Sequence, residues 1–385
     1  MEVRQYLDNL RAYVEQRDFA GHDPYDALAS PVVRRLCLGN KWLRIAWIQF
    51  LRRCPVNLRP LLLTRKEHNP KALGLFLEGY VRLHAIEPRA EYRQKIDRLI
   101  ELLDRCKNTT CSGHGWGYNF DWQTPVFYVP RYIPTVVNSS FVGHALLDAY
   151  EVTGSQLALR LALPVGEFIL KGLNRIPKKD TFCFSYTPLD YYAVHNANFL
   201  GASMLARLSR VSSHNDWEEA ALTALAYGMK HQRPDGSWFF SEQEGSHWID
   251  SFHTGFVLES LRRFLRLGLA EDYRAAYRRG VEFYAHAFFL PDGTPKYYHD
   301  KVYPLDIHCP AQAIVFFSEC GPKGLELAEK VAAWTVRNLY DRRGFFYFRR
   351  GRLLVNRIPY MRWSQAWAFR GLTALMLAQS GADAV

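Results

Sequence analysis

A recurrence of about 56 residues constrains this chain more than any other feature of it, because a fixed period of that length marks a repeat-built architecture. Five segments pair a short polar stretch with a run of small and apolar residues. They are Asn138-Ser-Ser-Phe-Val-Gly, Asn196-Ala-Asn-Phe-Leu-Gly, Asp250-Ser-Phe-His-Thr-Gly, Asp306-Ile-His-Cys-Pro-Ala and Met361-Arg-Trp-Ser-Gln-Ala. Their small residues, Gly143, Gly201, Gly255, Ala311 and Ala366, stand 54 to 58 positions apart. A less regular sixth member reads Asn69-Pro-Lys-Ala-Leu-Gly.

More polar amphipathic stretches lie between these segments, over residues 89–105, 155–173, 215–231, 271–288 and 323–339. Glu218, Glu219 and Lys230 mark the solvated face of one. Each is followed by a turn and an aromatic run, as in Asp235-Gly-Ser-Trp-Phe-Phe and Asp292-Gly-Thr-Pro-Lys-Tyr-Tyr. The unit is therefore an outer helix, an aromatic loop, a polar helix start and an inner helix. Such a unit cannot bury its apolar face alone, so units must stack. Tetratricopeptide-like arrays repeat at about 34 residues, which argues against an open solenoid of that kind. The expected fold is all-α, an (α/α)6 toroid of helical hairpins forming one domain over 1–385. Residues 1–60 are expected to complete the ring, and 61–380 to hold the repeats.

The chain carries a formal charge of +11 with a pI near 9.3, which favours acidic partners. Its basic residues are scattered through the helices, and no zinc finger or RNA-binding signature is present, so nucleic acid is not expected. Seven Cys without a C-x-x-C pair fit free thiols in a reducing compartment. The N-terminus, Met-Glu-Val-Arg-Gln-Tyr-Leu-Asp, lacks an apolar signal segment, so cytoplasmic residence is expected. No run is apolar enough to span a bilayer, and a peripheral membrane contact stays open. Oligomeric state is not legible.

Two motifs carry a resemblance. Gln232-Arg-Pro-Asp-Gly-Ser-Trp resembles the Q-x-x-(D)-G-x-W element of terpenoid cyclases. Asp250-Ser-Phe-His-Thr-Gly-Phe-Val-Leu resembles the inner-helix start that bears the zinc-binding His of protein prenyltransferase β subunits. Both families are α/α toroids, as are six-hairpin glycosidases, uronyl hydrolases, polysaccharide lyases and sugar epimerases. The resemblance implies the fold over most of 60–380. Isoprenoid chemistry is only the second reading, because the cyclase D-x-D-D is absent. The Asp-x-Cys of the prenyltransferase zinc site is missing one repeat upstream of His253, where Tyr192-Ala-Val-His-Asn-Ala-Asn-Phe stands.

Inner-helix starts should face the central cleft. Asn138, Asn196, Asp250 and Asp306 are also N-cap types, so capping competes with function at each. Asp250 and Asp306 are expected to supply paired carboxylates, as glycoside hydrolysis needs. His195, His253 and His308 are expected to shuttle protons between them. No ligand spacing supports zinc at His253, His308 and Cys309, so neither metal nor cofactor is expected. The Gly-rich loop with Trp116, Tyr118, Asp121 and Trp122 suits a sugar-stacking wall. Arg131, Tyr192, Asn196, Trp238 and His247 are further binding candidates. Arg362, with Trp363 and Gln365 beside it, is placed to clamp a carboxylate or phosphate. The resulting expectation is an enzyme acting on an anionic carbohydrate or sugar-phosphate in exopolysaccharide or capsule formation, as epimerase, lyase or hydrolase. A non-catalytic glycan-binding protein is the bland alternative.

Overall fold

A computed structural model describes residues 3–212 and 214–381. The chain opens with α1 (Val3–Glu15), α2 (Pro31–Leu36) and α3 (Lys41–Arg53). Hairpins follow: α4 (Pro70–Ile86) with α5 (Ala90–Cys106), then α6 (Val136–Thr153) with α7 (Gln156–Ala162) and α8 (Pro164–Glu167). Next come α9 (His195–Leu208) with α10 (Asn215–Lys230), and α11 (Ser251–Arg266) with α12 (Arg274–Phe288). The last are α13 (His308–Phe317) with α14 (Gly321–Leu339), and α15 (Trp367–Ser380), which a π-helical turn, Met361–Ala366, introduces.

The inner helices α4, α6, α9, α11, α13 and α15 each pack on the next, and α15 returns to α4, closing the ring. The fold is the (α/α)6 toroid that the period implies. Small anchor residues permit the close approach. A Cβ on Gly201 of α9 would stand 2.7 Å from Val136 of α6, and one on Gly255 of α11 would stand 2.6 Å from Gln312 of α13. The sixth repeat is real as well, since a Cβ on Gly74 of α4 would meet Val142 of α6 at 3.2 Å.

The turns after the outer helices share one device. Gly236, Gly293 and Gly344 have φ of +91°, +86° and +90°, and each lies against a carbonyl of the next outer helix. Those carbonyls belong to Arg279 of α12, Lys330 of α14 and Asn9 of α1. Only glycine combines that dihedral with that approach. Gln232 locks the first of these turns by donating to the Gly236 and Ala276 carbonyls at 3.1 and 2.9 Å, and Trp238 Nε1 donates to Gly228 O at 3.0 Å. The cyclase-like motif thus has an architectural role here. The same series puts α1 in the sixth outer position, where it packs on α15.

Helix capping departs from expectation at two starts. Thr135 caps α6, so Asn138 lies inside the first turn, and α9 starts without a side-chain cap. Asp250 does cap α11, and Asp306 accepts the His308 backbone N–H at 3.1 Å.

Ion pairs fill the centre of the ring away from the cavity. Arg370 of α15 donates to Glu78 of α4 at 2.7 Å and also to Glu259 of α11. Because α4 and α11 are opposite members of the ring, this bridge crosses its middle. Arg82, Arg263 and Gln312 complete the cluster. Burial disfavours charge on Glu78 and Glu259, but the guanidinium groups win and hold both carboxyls below the ordinary Glu value.

Candidate functional site

A cavity of about 630 Å³ opens where the inner helices begin. Four ring members contribute by the same register: Lys71, Phe252, His308 and Trp363 each stand three residues before the repeat's small anchor.

Asp250 and His253 form the sharpest arrangement. One carboxylate oxygen accepts the His253 backbone N–H at 3.0 Å as a helix cap. The other lies 2.7 Å from His253 Nδ1. The ring sits between Phe240 and Phe252, at 5.0 and 4.2 Å, and its Nε2 hydrogen-bonds to none of the described residues. An acid that fixes one imidazole nitrogen leaves the other as a directed proton donor or acceptor. His308 is buried on the same wall, stacked on Phe252 at 4.3 Å, with neither ring nitrogen hydrogen-bonded to the described residues. Burial, aided by the nearby Lys71 and Arg362 cations, pushes its pKa well down and keeps the imidazole neutral.

Asp306 is placed differently from the sequence expectation. Fully buried, it accepts from the Arg349 guanidinium at 2.7 Å and from Trp363 Nε1 at 2.7 Å, and it does not line the cavity. The guanidinium and the indole turn it into a support for Trp363, so no Asp250–Asp306 pair faces a substrate. His195 also lies off the cavity, its Nε2 2.8 Å from Glu242 and its ring against His231 and Tyr227.

Among the expected binding residues, Tyr118, Trp122, Tyr192, Asn196, Arg362 and Trp363 line the cavity. Asn196 brings a buried side-chain oxygen with no partner among the described residues. Arg362 is already clamped, its guanidinium donating to both Asp23 oxygens at 2.6 and 2.8 Å, which neutralises the charge meant for an anion. Trp116 is a core residue, with Nε1 donating to Leu103 O at 2.8 Å, and Trp238 is likewise spent in the core. Asp121 accepts from Arg131 N at 2.8 Å and shapes its loop, while the Arg131 guanidinium pairs outside with Glu67 at 3.6 Å. His247 stacks on Phe239 at 4.6 Å away from the cavity. Gln365 is buried and bridges the Phe346 backbone N–H and carbonyl, both at 2.8 Å.

Two cations in the cavity were not expected. Lys71 is 3% exposed, and its ammonium forms no ion pair or hydrogen bond with the described residues, lying 4.2 Å from the Phe141 ring centroid. Burial lowers its pKa well below the usual value, with Arg362 and Arg370 adding to the effect. Arg52 reaches in from α3, stacks on Tyr25 at 5.1 Å, and has a buried Nε without a partner among the described residues. The register of the inner-helix starts could have revealed Lys71; nothing in the sequence ties α3 to the mouth. Tyr25, Phe127, Trp248, Tyr297 and Tyr298 extend the aromatic wall. Among the described residues, no group of three or more His, Cys, Asp or Glu is placed to hold a metal ion.

No family model and no curated protein matches the sequence. Solved structures do match in shape. Cellobiose 2-epimerase from Bacillus thermoamylovorans superposes with a TM-score of 0.62 at 14% identity, over 82% of this chain and 90% of that one. A GH76 α-mannanase from Bacteroides thetaiotaomicron gives 0.61 at 13%, over 81% and 86%. An unsaturated glucuronyl hydrolase specific for heparin gives 0.59 at 14%, over 82% and 87%. At such identities the likeness shows the shared toroid.

Proposed function

We propose that this chain is a carbohydrate-active enzyme that moves protons on an anionic, uronate-bearing glycan or its precursor, in cytoplasmic steps of exopolysaccharide or capsule formation. The carrying observation is the Asp250–His253 pair, 2.7 Å apart, on the wall of an aromatic-lined cavity, with the second imidazole nitrogen bonded to none of the described residues. Aromatic faces stack on sugar C–H surfaces while polar groups fix orientation. Lys71 and Arg52, neither in an ion pair among the described residues, are the basic groups that would meet a carboxylate. The carbohydrate enzymes of like shape support this substrate class, and the seven free thiols among the described residues support the compartment.

Reaction type follows from which carboxylates face the cavity. Hydrolysis in its usual form requires two carboxyl groups flanking the bond. Here Asp250 is committed to a histidine, Arg349 and Trp363 hold Asp306 aside, and Glu244, the other carboxylate among the described lining residues, is exposed on a loop. Two imidazoles on adjacent inner helices suit removal and return of a proton at carbon, so epimerisation or elimination ranks above hydrolysis. In this scheme His253 Nε2 takes the proton and Asp250 stabilises the imidazolium, while neutral His308 serves the second proton position.

The test is turnover of uronate oligosaccharides in D2O, with deuterium at carbon read by NMR. His253→Ala should lower the rate by about 10²–10⁴-fold. Asp250→Asn keeps a capping side chain, so the fold should survive while the rate drops. Full activity in both variants would remove these residues from the chemistry. The Phe- and Trp-rich wall also suits a prenyl chain, which keeps an isoprenoid substrate as the second reading; exchange confined to prenyl diphosphates would favour it.

A further inference from the structure

The segment that forms α2 and α3 reaches the cavity through Gln49 and Arg52, and its remaining surface is unusual in charge and apolarity. From Ala27 to Lys66 it contains nine basic residues and no acidic one. Arg34, Arg35, Lys41, Arg53, Arg65 and Lys66 are exposed. The same stretch displays large apolar side chains to solvent: Leu38 is 86% exposed, Trp42 65%, Phe50 51% and Leu61 79%.

Helix α3 is apolar on two faces. Ile48 and Leu51 turn inward onto Ala27, Leu28, Val33 and Cys37, a small core of their own. Trp42, Ala46 and Phe50 follow at four-residue spacing on the outward face, all exposed. A surface helix with one partner needs a single apolar stripe, so the outward stripe is unaccounted for by the fold.

Neighbouring loops continue the patch. Val126, 58% exposed, lines the cavity mouth on the Trp122–Val129 hairpin, where Arg44 of α3 stacks on Tyr128 at 4.9 Å. Leu353 and Leu354 tip the Arg349–Asn356 hairpin, which Asn356 ties to Cys54 at the end of α3 by a 3.0 Å hydrogen bond. Apolar tips ringed by cations therefore share one side of the molecule with the cavity mouth.

We infer that this face, carried by the α2–α3 segment, docks on an anionic membrane surface. Trp and Leu side chains enter the headgroup boundary while Arg and Lys meet lipid phosphates, the pattern of interfacial helices. No helix among the described residues is long and apolar enough to cross a membrane, so the contact is peripheral. A second copy of the chain is the competing occupant, but two such faces would bring like charges together without an acid on either. The docking stands without the proposed function; that the mouth then opens toward lipid-borne glycans rests on it.

The test uses full-length protein and vesicles of phosphatidylcholine with or without phosphatidylglycerol. Sedimentation should recover the protein with anionic vesicles only, and high salt should release it. A Leu38→Ser, Trp42→Ser, Phe50→Ser variant should lose about tenfold or more in partitioning, and an Arg34→Glu, Arg35→Glu, Lys41→Glu variant should do the same. Both should keep the wild-type melting temperature and its turnover of water-soluble substrate. Equal recovery with neutral vesicles would overturn the anionic-surface assignment. So would variants that bind as wild type does, or a wild-type dimer that the Ser variant converts to monomer without any vesicle binding. Lost turnover with vesicle binding intact would bear on the reaction alone.

Discussion

Asp250 illustrates how one residue can divide its bonding, since its two oxygens are split between a helix cap and an imidazole. Lys71 is the converse, a buried amine that meets aromatic rings, Phe141 at 4.2 Å and Phe256 at 5.0 Å, in place of a carboxylate. Burial that pushes the Lys71 amine well below its usual pKa, with no carboxylate beside it among the described residues, marks a desolvation penalty that its removal relieves. Lys71→Met should therefore raise the melting temperature while weakening binding of anionic ligands, as stability traded for function predicts. A lower melting temperature with unchanged ligand affinity would make Lys71 a structural residue. The sequence exposed the histidines and Asp250 because their repeat positions can be counted. It could not show that Asp306 turns to Arg349, forty-three positions later in the chain. Nor could it show that Asp23 occupies Arg362, since both partners lie far apart in sequence.

Elements were more legible than side chains. The period follows from small residues that the ring needs at each inner contact, so the architecture is written directly into glycine and alanine positions. The substitutions that break it can be ranked. A Cβ on Gly201 meets Val136 Cγ2 at 2.7 Å, where a β-branched side chain has one strongly preferred helical rotamer. On Gly143 it meets the Met204 methyl at 2.6 Å, the far end of a flexible chain. Alanine gains roughly 1 kcal/mol of helix propensity over glycine at either site. Gly201→Ala should nonetheless destabilise by about 1–3 kcal/mol, whereas Gly143→Ala should be near neutral, as denaturant midpoints will show. Equal effects would mean that neighbour rigidity does not set the spacing. The α2–α3 segment escaped the period altogether, being neither inner nor outer, and its Arg52 escaped with it.

At the scale of the whole ring, the Arg370 bridge ties opposite helices through a buried charge cluster. Arg370→Met should cost about 3–5 kcal/mol, because Glu78 and Glu259 are left undercompensated. Both carboxyls are held below the ordinary Glu value of 4.5 in the folded state. Their stabilising contribution is therefore complete above that value and lost as pH falls through the lower folded ones. The deficit of Arg370→Met should accordingly narrow on acidification; a deficit independent of pH would argue for lost packing alone. Above this plug sits the cavity, whose aromatic wall, Asp250–His253 pair and unpaired cations make the case for an anionic glycan. Thermal protection by candidate ligands tests that case most directly, since a ligand at 100 times its Kd adds about 2.7 kcal/mol to stability. Uronate oligosaccharides should raise the melting temperature more than neutral oligosaccharides or prenyl diphosphates, and Lys71→Met should abolish the preference; protection by prenyl diphosphates alone would contradict the account.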